Sequence, residues 1–191
     1  MSRHDLTAQE LQGAFTGFEY TAFRLEGRES YAGTSYDRSR FARWLKGEFP
    51  ELDPDVPWKR QVRAATAEGR QFARVRIVSE PWSDYTRYAL WQAMQNIAAG
   101  EDIRYLSRQR AEAAGLPAGL WEHDYWLFDS RLLVVMYYDD ATDDLRRCEI
   151  LDDPAVIVRH NYWRDAAWHH ALPRDEYVRR AGEPVKPVTG S

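Results

Sequence analysis

The chain has 191 residues, with 26 basic side chains, 30 acidic side chains and a formal net charge of −4. This length suffices for one domain that folds without metal or disulfide support. The acidic balance argues against a dedicated nucleic-acid-binding protein, which usually carries a basic surplus. A single cysteine, Cys148, excludes an internal disulfide. With no apolar run of about 18 residues to span a bilayer, we expect a cytoplasmic protein.

The first 57 residues are predicted to form a helical arm. Thr7 and Glu10 match a capping box, in which each side chain bonds the backbone of the other residue, and this indicates a helix start. The aromatic, alternating segment 18–26 indicates a strand, and a sheet edge is one of two positions that stay open for it. The predicted helices of the arm are 8–15 and 37–46. Three prolines in the connector 49–57 mark its end.

Residues 58–181 are predicted to form the main domain, because helical and strand patterns alternate along them. The predicted helices are 58–68, 80–99, 108–114 and 153–170. The predicted strands are 71–78, 102–106, 124–128, 132–138 and 146–151. Together with 18–26, they predict an α/β fold: a mixed sheet of about five to six strands flanked by helices, with the N-terminal helical arm. The tail, 182–191, is expected to be disordered.

The helix 80–99 follows the strand 71–78 directly. Ser79 is its predicted N-cap, and Pro81 is tolerated in the first turn, where its missing amide would have no partner. Such strand–helix units place ligand sites at the carboxyl ends of strands in α/β folds. The predicted buried face of the helix consists of Trp82, Ala89, Leu90, Ala93, Met94 and Ile97.

The turn between this strand and this helix gathers a polar cluster: Arg74, Arg76, Ser79, Glu80, Ser83, Asp84 and Arg87. One interpretation is an anion or nucleotide pocket, since a helix N-terminus offers unpaired amides and arginine binds carboxylates and phosphates through two hydrogen bonds. The other is a structural network in which Ser79 caps the helix and the acidic residues neutralise the arginines. Arg24 and Glu26 share one strand face, and they either extend this cluster or protect a sheet edge.

No catalytic or metal-binding motif of high specificity occurs in the chain. The histidines lack the spacing of metal ligands, and the P-loop, dinucleotide-binding and nucleophile-elbow glycine patterns are absent. We therefore predict neither a metal site nor a cofactor. The histidines concerned are His123, His160, His169 and His170.

Two further polar features have ordinary explanations. Cys148 lies in an apolar strand pattern without a neighbouring histidine, which is typical of an inert thiol. An acidic loop lacks the glycine and terminal glutamate of a calcium-binding loop, so we expect a solvated hairpin tip. Its acidic residues are Asp139, Asp140, Asp143 and Asp144.

Four segments together resemble an actinobacterial family of unknown function: 18–26, 74–88, 96–106 and 124–140. The resemblance extends over about 18–171, which is nearly the whole domain. Members of that family are typically encoded near Xre-type helix-turn-helix regulators. The resemblance therefore implies a regulatory or toxin–antitoxin-like role, by association alone.

A fainter resemblance concerns mechanism. The strand, helix and strand followed by the hairpin 124–136 are similar to the second half of a phospholipase D-like module. There, a histidine that attacks phosphorus and a lysine that binds the phosphate precede an aspartate near the hairpin turn. With Asp129 as that aspartate, the two positions fall at Glu122 and Asp124, whose charges would repel a phosphate. The resemblance implies a shared fold without nuclease or lipase activity.

Two functions stay open at this point. The first is a non-catalytic regulatory or interaction module that binds a helix-turn-helix regulator or a small anionic ligand; the missing motifs and the aromatic share of 14% favour it. The second is a small enzyme acting on a phosphorylated or carboxylated metabolite. Its anion clamp would consist of Arg24, Arg76 and Arg87, with Glu80 or Asp84 as general base. Membrane association and direct nucleic-acid binding are not expected.

Overall fold

The computed structural model describes residues 3–49, 55–121 and 124–186. These residues form a mixed sheet with helices on both faces, which confirms the predicted α/β class. The strands are β1 (Arg3–Asp5), β2 (Thr21–Glu26), β3 (Gln71–Val78), β4 (Asp102–Ser107), β5 (Asp124–Phe128), β6 (Leu132–Tyr138), β7 (Leu145–Leu151) and β8 (Leu172–Pro173). The helices are α1 (Ala8–Gly17), α2 (Ser35–Leu45), α3 (Pro57–Ala67), α4 (Asp84–Ala98), α5 (Arg108–Ala113), α6 (Pro154–His170) and α7 (Arg174–Ala181), with a 3₁₀ turn at Ala118–Trp121.

The order of the strands across the sheet is β1, β7, β6, β5, β2, β3, β4, β8. β3 is parallel to β2 and β4, whereas the other neighbouring strands are antiparallel. The short strands β1 and β8 add to the six predicted ones. β2 lies in the middle, between β5 and β3, which excludes the alternative that the strand 18–26 is an edge strand. Its charged residues face a buried network rather than protecting an edge.

One face of the sheet is apolar along β2 and β3. Phe23 and Leu25 of β2 pack beside Val75 and Ile77 of β3, and this layer is covered by α5 and α6. Alternation along a strand sends successive side chains to opposite faces. The residues between these apolar ones therefore belong to the other face of the sheet.

The other face changes character along the strands. At the beginning of β2 and β3, Ala22 and Phe72 pack against α1 and α3. Towards the carboxyl ends of both strands, charged residues replace the apolar ones. An aromatic cluster between α2 and α4, which includes Trp44 and Tyr88, lies over this side of the sheet. The charged half of the face is therefore enclosed rather than exposed.

Helix α4 begins at Asp84, four residues later than predicted. Ser83 is its N-cap, because the Ser83 hydroxyl accepts the amide of Thr86. The hydroxyl of Ser79 instead donates to Glu29 at 2.5 Å. The predicted cap is therefore wrong, although the cap is a serine as predicted and lies only four residues further along the chain.

The buried face of α4 also differs from the prediction at its end. Met94 and Ile97 are exposed, whereas Ala89, Leu90 and Ala93 are buried as expected. In its first turns, the helix buries side chains over a wider part of its circumference than the one apolar face that was predicted. Its buried residues there are Tyr85, Thr86, Arg87 and Tyr88.

Most of the connector 49–57 lies outside the described residues, and the division into an arm and a main domain stays a prediction. The expected disorder of the tail also stays a prediction: at its start Glu183 binds Arg87 at 2.6 Å, and residues 187–191 lie outside the described part. Among the described helices, none combines the length and apolar character needed to cross a membrane.

Candidate functional site

The charged half of the sheet face is built from two neighbouring parallel strands. Arg24 of β2 lies beside Arg74 of β3, and Glu26 lies beside Arg76. Residues two apart on a strand point to the same face, so all four side chains lie together. The strand period therefore explains why the sequence RLE on β2 and RVR on β3 form one cluster, which we call the arginine network.

Glu26 is the centre of the arginine network. Its carboxylate lies 3.1 Å from Arg24, 2.8 Å from Arg74 and 3.6 Å from Arg76, and its side chain is 2% exposed. Burial alone would raise the pKa of Glu26, but the three guanidinium groups lower it to about 2. Glu26 is therefore ionised throughout the physiological range and has little capacity to take up a proton.

Two further buried carboxylates form ion pairs with Arg24 and Arg74. Asp124 lies 3.3 Å from Arg24, and Glu101 lies 2.7 Å from Arg74. Asp124 also accepts the amide of Gly27 at 3.0 Å. Burial raises the pKa of Asp124, against the opposing effect of Arg24. Arg24 and Arg74 thus each share Glu26 and have one additional carboxylate.

Arg76 differs from the other two arginines. Its nearest carboxylate oxygen is Glu26 Oε2, at a distance of 3.6 Å that is too long for a hydrogen bond. Within the described residues, the guanidinium Nη2 is buried without a hydrogen-bond partner, as is Glu26 Oε2. The Arg76 guanidinium lies over the rings of Tyr31 and Tyr85, 4.7 and 5.5 Å from their centroids. Arg76 is thus a buried cation, 10% exposed, with unused donors.

A cavity of about 290 Å³ lies beside the arginine network. Its floor is formed by the network, and its walls come from the segment before α2, from α4 and from the end of β6. The loop between β6 and β7 forms part of its mouth and contributes acidic residues. The residues that line this cavity, called the Arg76 cavity below, are Arg24, Glu26, Tyr31, Gly33, Thr34, Asp37, Arg74, Arg76, Tyr85, Gln92, Tyr138, Asp143, Asp144 and Leu145.

A comparison with protein families matches residues 9–179 to a domain of unknown function, DUF6879. The chain belongs to the DUF6879 family. A search of curated proteins found no match. Among solved structures, the chain is similar to NucT from Helicobacter pylori, with 10% identity, a TM-score of 0.46, and coverage of 90% of this chain and 97% of that one.

The phospholipase D-like resemblance stays a prediction. Of its two compared positions, Glu122 lies outside the described residues, and Asp124 is a buried partner of Arg24. Asp129 has a structural role, because its carboxylate accepts the amides of residues 19–21 at 2.8 to 2.9 Å. These amides lower the pKa of Asp129 against the effect of burial. Asp129 therefore holds the start of β2 against the β5–β6 turn.

The structure divides the predicted polar cluster into two groups. Arg24, Glu26, Arg74 and Arg76 line the Arg76 cavity. The other predicted residues lie elsewhere, because the turn after β3 carries them away from this face. Those residues are Ser79, Glu80, Ser83, Asp84 and Arg87, of which Ser79 and Ser83 have the roles described above.

The second group forms ordinary structural contacts. Arg87 binds Glu183 at 2.6 Å and lies 3.8 Å from Asp84, and it also donates to the carbonyl of Trp82. Glu80 accepts the hydroxyl of Tyr177 at 2.7 Å. The predicted clamp of Arg24, Arg76 and Arg87 therefore does not assemble around one cavity. Neither proposed general base, Glu80 or Asp84, lines the cavity that contains Arg76.

Several wall residues of the Arg76 cavity were not identified from the sequence. Tyr85 and Gln92 lie on one side of α4, seven residues apart, and this spacing was an available signal. Tyr31 and Tyr138 come from a loop and a strand end that no local pattern connects. Burial raises the pKa of Tyr85 to about 12 and also raises the pKa values of Tyr31 and Tyr138. These phenols are therefore neutral hydrogen-bonding groups at physiological pH.

The remaining sequence candidates lie apart from the Arg76 cavity. In the described part of the chain, no group of three or more histidine, cysteine, aspartate or glutamate side chains is arranged to hold a metal ion. His123 lies outside that part. Cys148 is buried in β7, and burial raises the pKa of its thiol. The acidic loop is more than a solvated tip, because Arg28 binds Asp140 and Asp143 at 2.8 and 3.1 Å.

Proposed function

We propose that this protein is a non-catalytic regulatory module that binds a small ligand with an anionic group in the Arg76 cavity. The observation that carries the proposal is the buried guanidinium of Arg76, which has no hydrogen bond to the described residues. Buried polar groups in native proteins nearly always have partners, and an unpaired one calls for an ion, a water or a ligand. A carboxylate or phosphate oxygen supplies the acceptors that this guanidinium lacks.

The size of the cavity supports a small occupant. Its volume of about 290 Å³ is close to the lower end of the roughly 300 to 1,000 Å³ range of ligand pockets. Its tyrosine walls provide apolar surface and hydrogen-bonding hydroxyls together. A metabolite fits these properties better than a polymer does.

The electrostatics of the arginine network favour binding over catalysis. A general base works best when its pKa lies near the working pH, whereas the pKa of Glu26 is about 2. The pKa of Asp124 is raised, but its side chain is fully buried and does not line the cavity. Within the arginine network, the enzyme alternative, acting on a phosphorylated or carboxylated metabolite, therefore has no base suited to the place where Arg76 would hold the substrate.

A ligand-dependent thermal unfolding experiment tests the proposal. Nucleotides, phosphorylated metabolites, inorganic phosphate and carboxylates are each titrated, since a ligand that binds only the native state raises the melting temperature with concentration. We expect at least one of these anions to raise the melting temperature of the wild type. Arg76→Ala abolishes the shift, and Arg76→Lys, which keeps the charge but loses the planar fork, weakens it.

Arg87→Ala is the matched control for these variants. Its side chain is as buried as that of Arg76, at 10% exposed, but it lies outside the cavity. We expect Arg87→Ala to lower the melting temperature of the free protein while keeping the ligand-dependent shift. The proposal is wrong if no ligand with an anionic group, amino acids included, shifts the wild type, or if Arg76→Ala responds as the wild type does.

We propose that the protein partner of this module is a helix-turn-helix regulator, in the cytoplasm of an actinobacterium. It rests on the family resemblance and on two exposed apolar residues one turn apart on α6, Val158 and Tyr162. Co-expression with the helix-turn-helix regulator encoded nearby, followed by size-exclusion chromatography, tests whether the two proteins form a complex. We expect the wild type to co-elute with the regulator and Val158→Glu to elute separately. Separate elution of the wild type, or co-elution of the variant, would contradict the proposed partner or its binding surface.

A further inference from the structure

We infer that the ligand of the Arg76 cavity is a zwitterion of amino-acid size, whose carboxylate binds Arg76 and whose ammonium group faces Asp144 at the mouth. This inference rests on the proposed function and adds the ligand class to it. It follows from the arrangement of opposite charges around one small cavity. The arginine network forms the floor, and Asp37, Asp143 and Asp144 also line the cavity.

The three acidic residues differ in how their carboxylates are used. Asp143 binds Arg28 at 3.1 Å. Asp37 accepts the hydroxyl of Thr34 at 2.5 Å, within the N-terminal turn of α2. The Asp144 side chain has no hydrogen bond or ion pair with any described residue, and it is exposed. Asp144 is therefore the acidic group most available to a ligand.

A purely anionic ligand would meet unfavourable charges in this cavity. The positive charges of Arg24 and Arg74 are already balanced by Asp124, Glu101 and the shared Glu26. An anion bound to Arg76 would share the cavity with Asp37, Asp143 and Asp144, and like charges repel. A phosphate with two negative charges would suffer most.

A zwitterion resolves this conflict. Its carboxylate supplies the missing acceptors of Arg76, and its ammonium group supplies a positive charge for the acidic mouth. The tyrosine hydroxyls stay neutral, because burial raises their pKa values, and they add no competing charge. Gln92, which also lines the cavity, offers both a donor and an acceptor through its amide.

The experiment uses the twenty standard amino acids as probes with the full-length wild-type protein. Each is titrated by isothermal calorimetry, and the tightest one is then compared with two analogues. One analogue lacks the amino group, and the other lacks the carboxylate; for phenylalanine these are 3-phenylpropanoate and 2-phenylethylamine. We expect each analogue to bind at least about tenfold more weakly, since each loses one charge-assisted interaction.

Two variants assign the ammonium group to its partner. Asp144→Asn is expected to weaken amino-acid binding about tenfold while leaving the affinity of the desamino analogue within about twofold. Asp140→Asn is the control in the same loop, because Asp140 does not line the cavity. This control is expected to leave both affinities nearly unchanged.

The outcomes separate this inference from the proposed function. Equal binding of the amino acid and its desamino analogue, or an unchanged affinity in Asp144→Asn, would refute the zwitterion but leave anion binding at Arg76 intact. Binding of phosphates or simple carboxylates alone would have the same meaning. Failure of amino acids, phosphates and carboxylates alike would refute both.

Discussion

Replacing Glu26 by glutamine removes the charge that Arg24, Arg74 and Arg76 share. The substitution keeps the size and one carbonyl oxygen of the side chain, so the effect reports mainly on charge. Removing one partner of a buried ion network leaves the others uncompensated, which typically costs about 3 to 5 kcal/mol. We expect Glu26→Gln to fold with a substantially reduced free energy of unfolding.

The pKa of Glu26 gives an independent magnitude. It falls from an ordinary value of 4.5 to about 2 in the folded protein, and each pKa unit corresponds to about 1.4 kcal/mol. The ionised state of Glu26 therefore contributes about 3 kcal/mol to stability at neutral pH. Because the side chain is 2% exposed, solvent screening reduces this value little.

The sign of the pH dependence follows from the lowered pKa. The contribution of Glu26 is fully present above its unfolded pKa of 4.5 and is lost as the pH falls towards the folded value of about 2. By pH 3, roughly 2 of the about 3 kcal/mol should be gone. The stability difference between the wild type and Glu26→Gln must therefore shrink between pH 5 and pH 3.

Urea unfolding followed by tryptophan fluorescence at pH 7, 5, 4 and 3 measures this difference. Glu112→Gln is the control, because Glu112 is exposed on α5, and we expect a change within about 0.5 kcal/mol at every pH. A difference between the wild type and Glu26→Gln that stays constant from pH 7 to pH 3 would refute the reasoning. The loss would then come from packing rather than from the ionised carboxylate.

Two further predictions concern the mouth of the cavity and the start of α4. A Cβ atom at Gly33 would lie 2.7 Å from the carbonyl carbon of Asp143, so Gly33→Ala should displace the β6–β7 loop and lower the free energy of unfolding in urea by about 1 to 3 kcal/mol. Gly119→Ala is the control, because the space around its Cβ is free, and it should be nearly neutral. Equal effects of the two substitutions would contradict this account. Ser83→Ala should lower the free energy of unfolding by about 1 kcal/mol, because it removes the N-cap of α4, and Ser79→Ala should lower it by less. A larger loss for Ser79→Ala than for Ser83→Ala would place the helix start at residue 80.

Local sequence patterns predicted most elements of the fold because their physical causes are local. The strand predicted for 71–78 coincides with β3, and the capping box at Thr7 forms as expected. The start of α4 was mistaken because Ser79 and Ser83 are equally good capping residues by composition. The choice between them depends on Glu29, which is distant in sequence and takes the Ser79 hydroxyl.

The candidate site was predicted in part, and the missing part has the same explanation. Strand alternation was enough to place Arg24 with Glu26 and Arg74 with Arg76. It could not show that β2 lies beside β3, because an edge strand and a central strand with charged residues have the same local pattern. The cavity walls required that strand order, since Tyr31 and the loop after β6 meet only across the folded sheet.

The arginine network is difficult to explain by stability alone. Burying charged groups has a large desolvation cost, and apolar residues of similar size often stabilise such a position as well or better. In a network selected only for structure, each guanidinium would have a carboxylate of its own, as Arg24 has Asp124 and Arg74 has Glu101. Arg76 has no such carboxylate of its own within the described residues, and it lines the floor of a cavity. Its unused donors therefore favour a ligand that completes the network, and the comparison of Arg76→Ala with Arg87→Ala separates this explanation from a structural one.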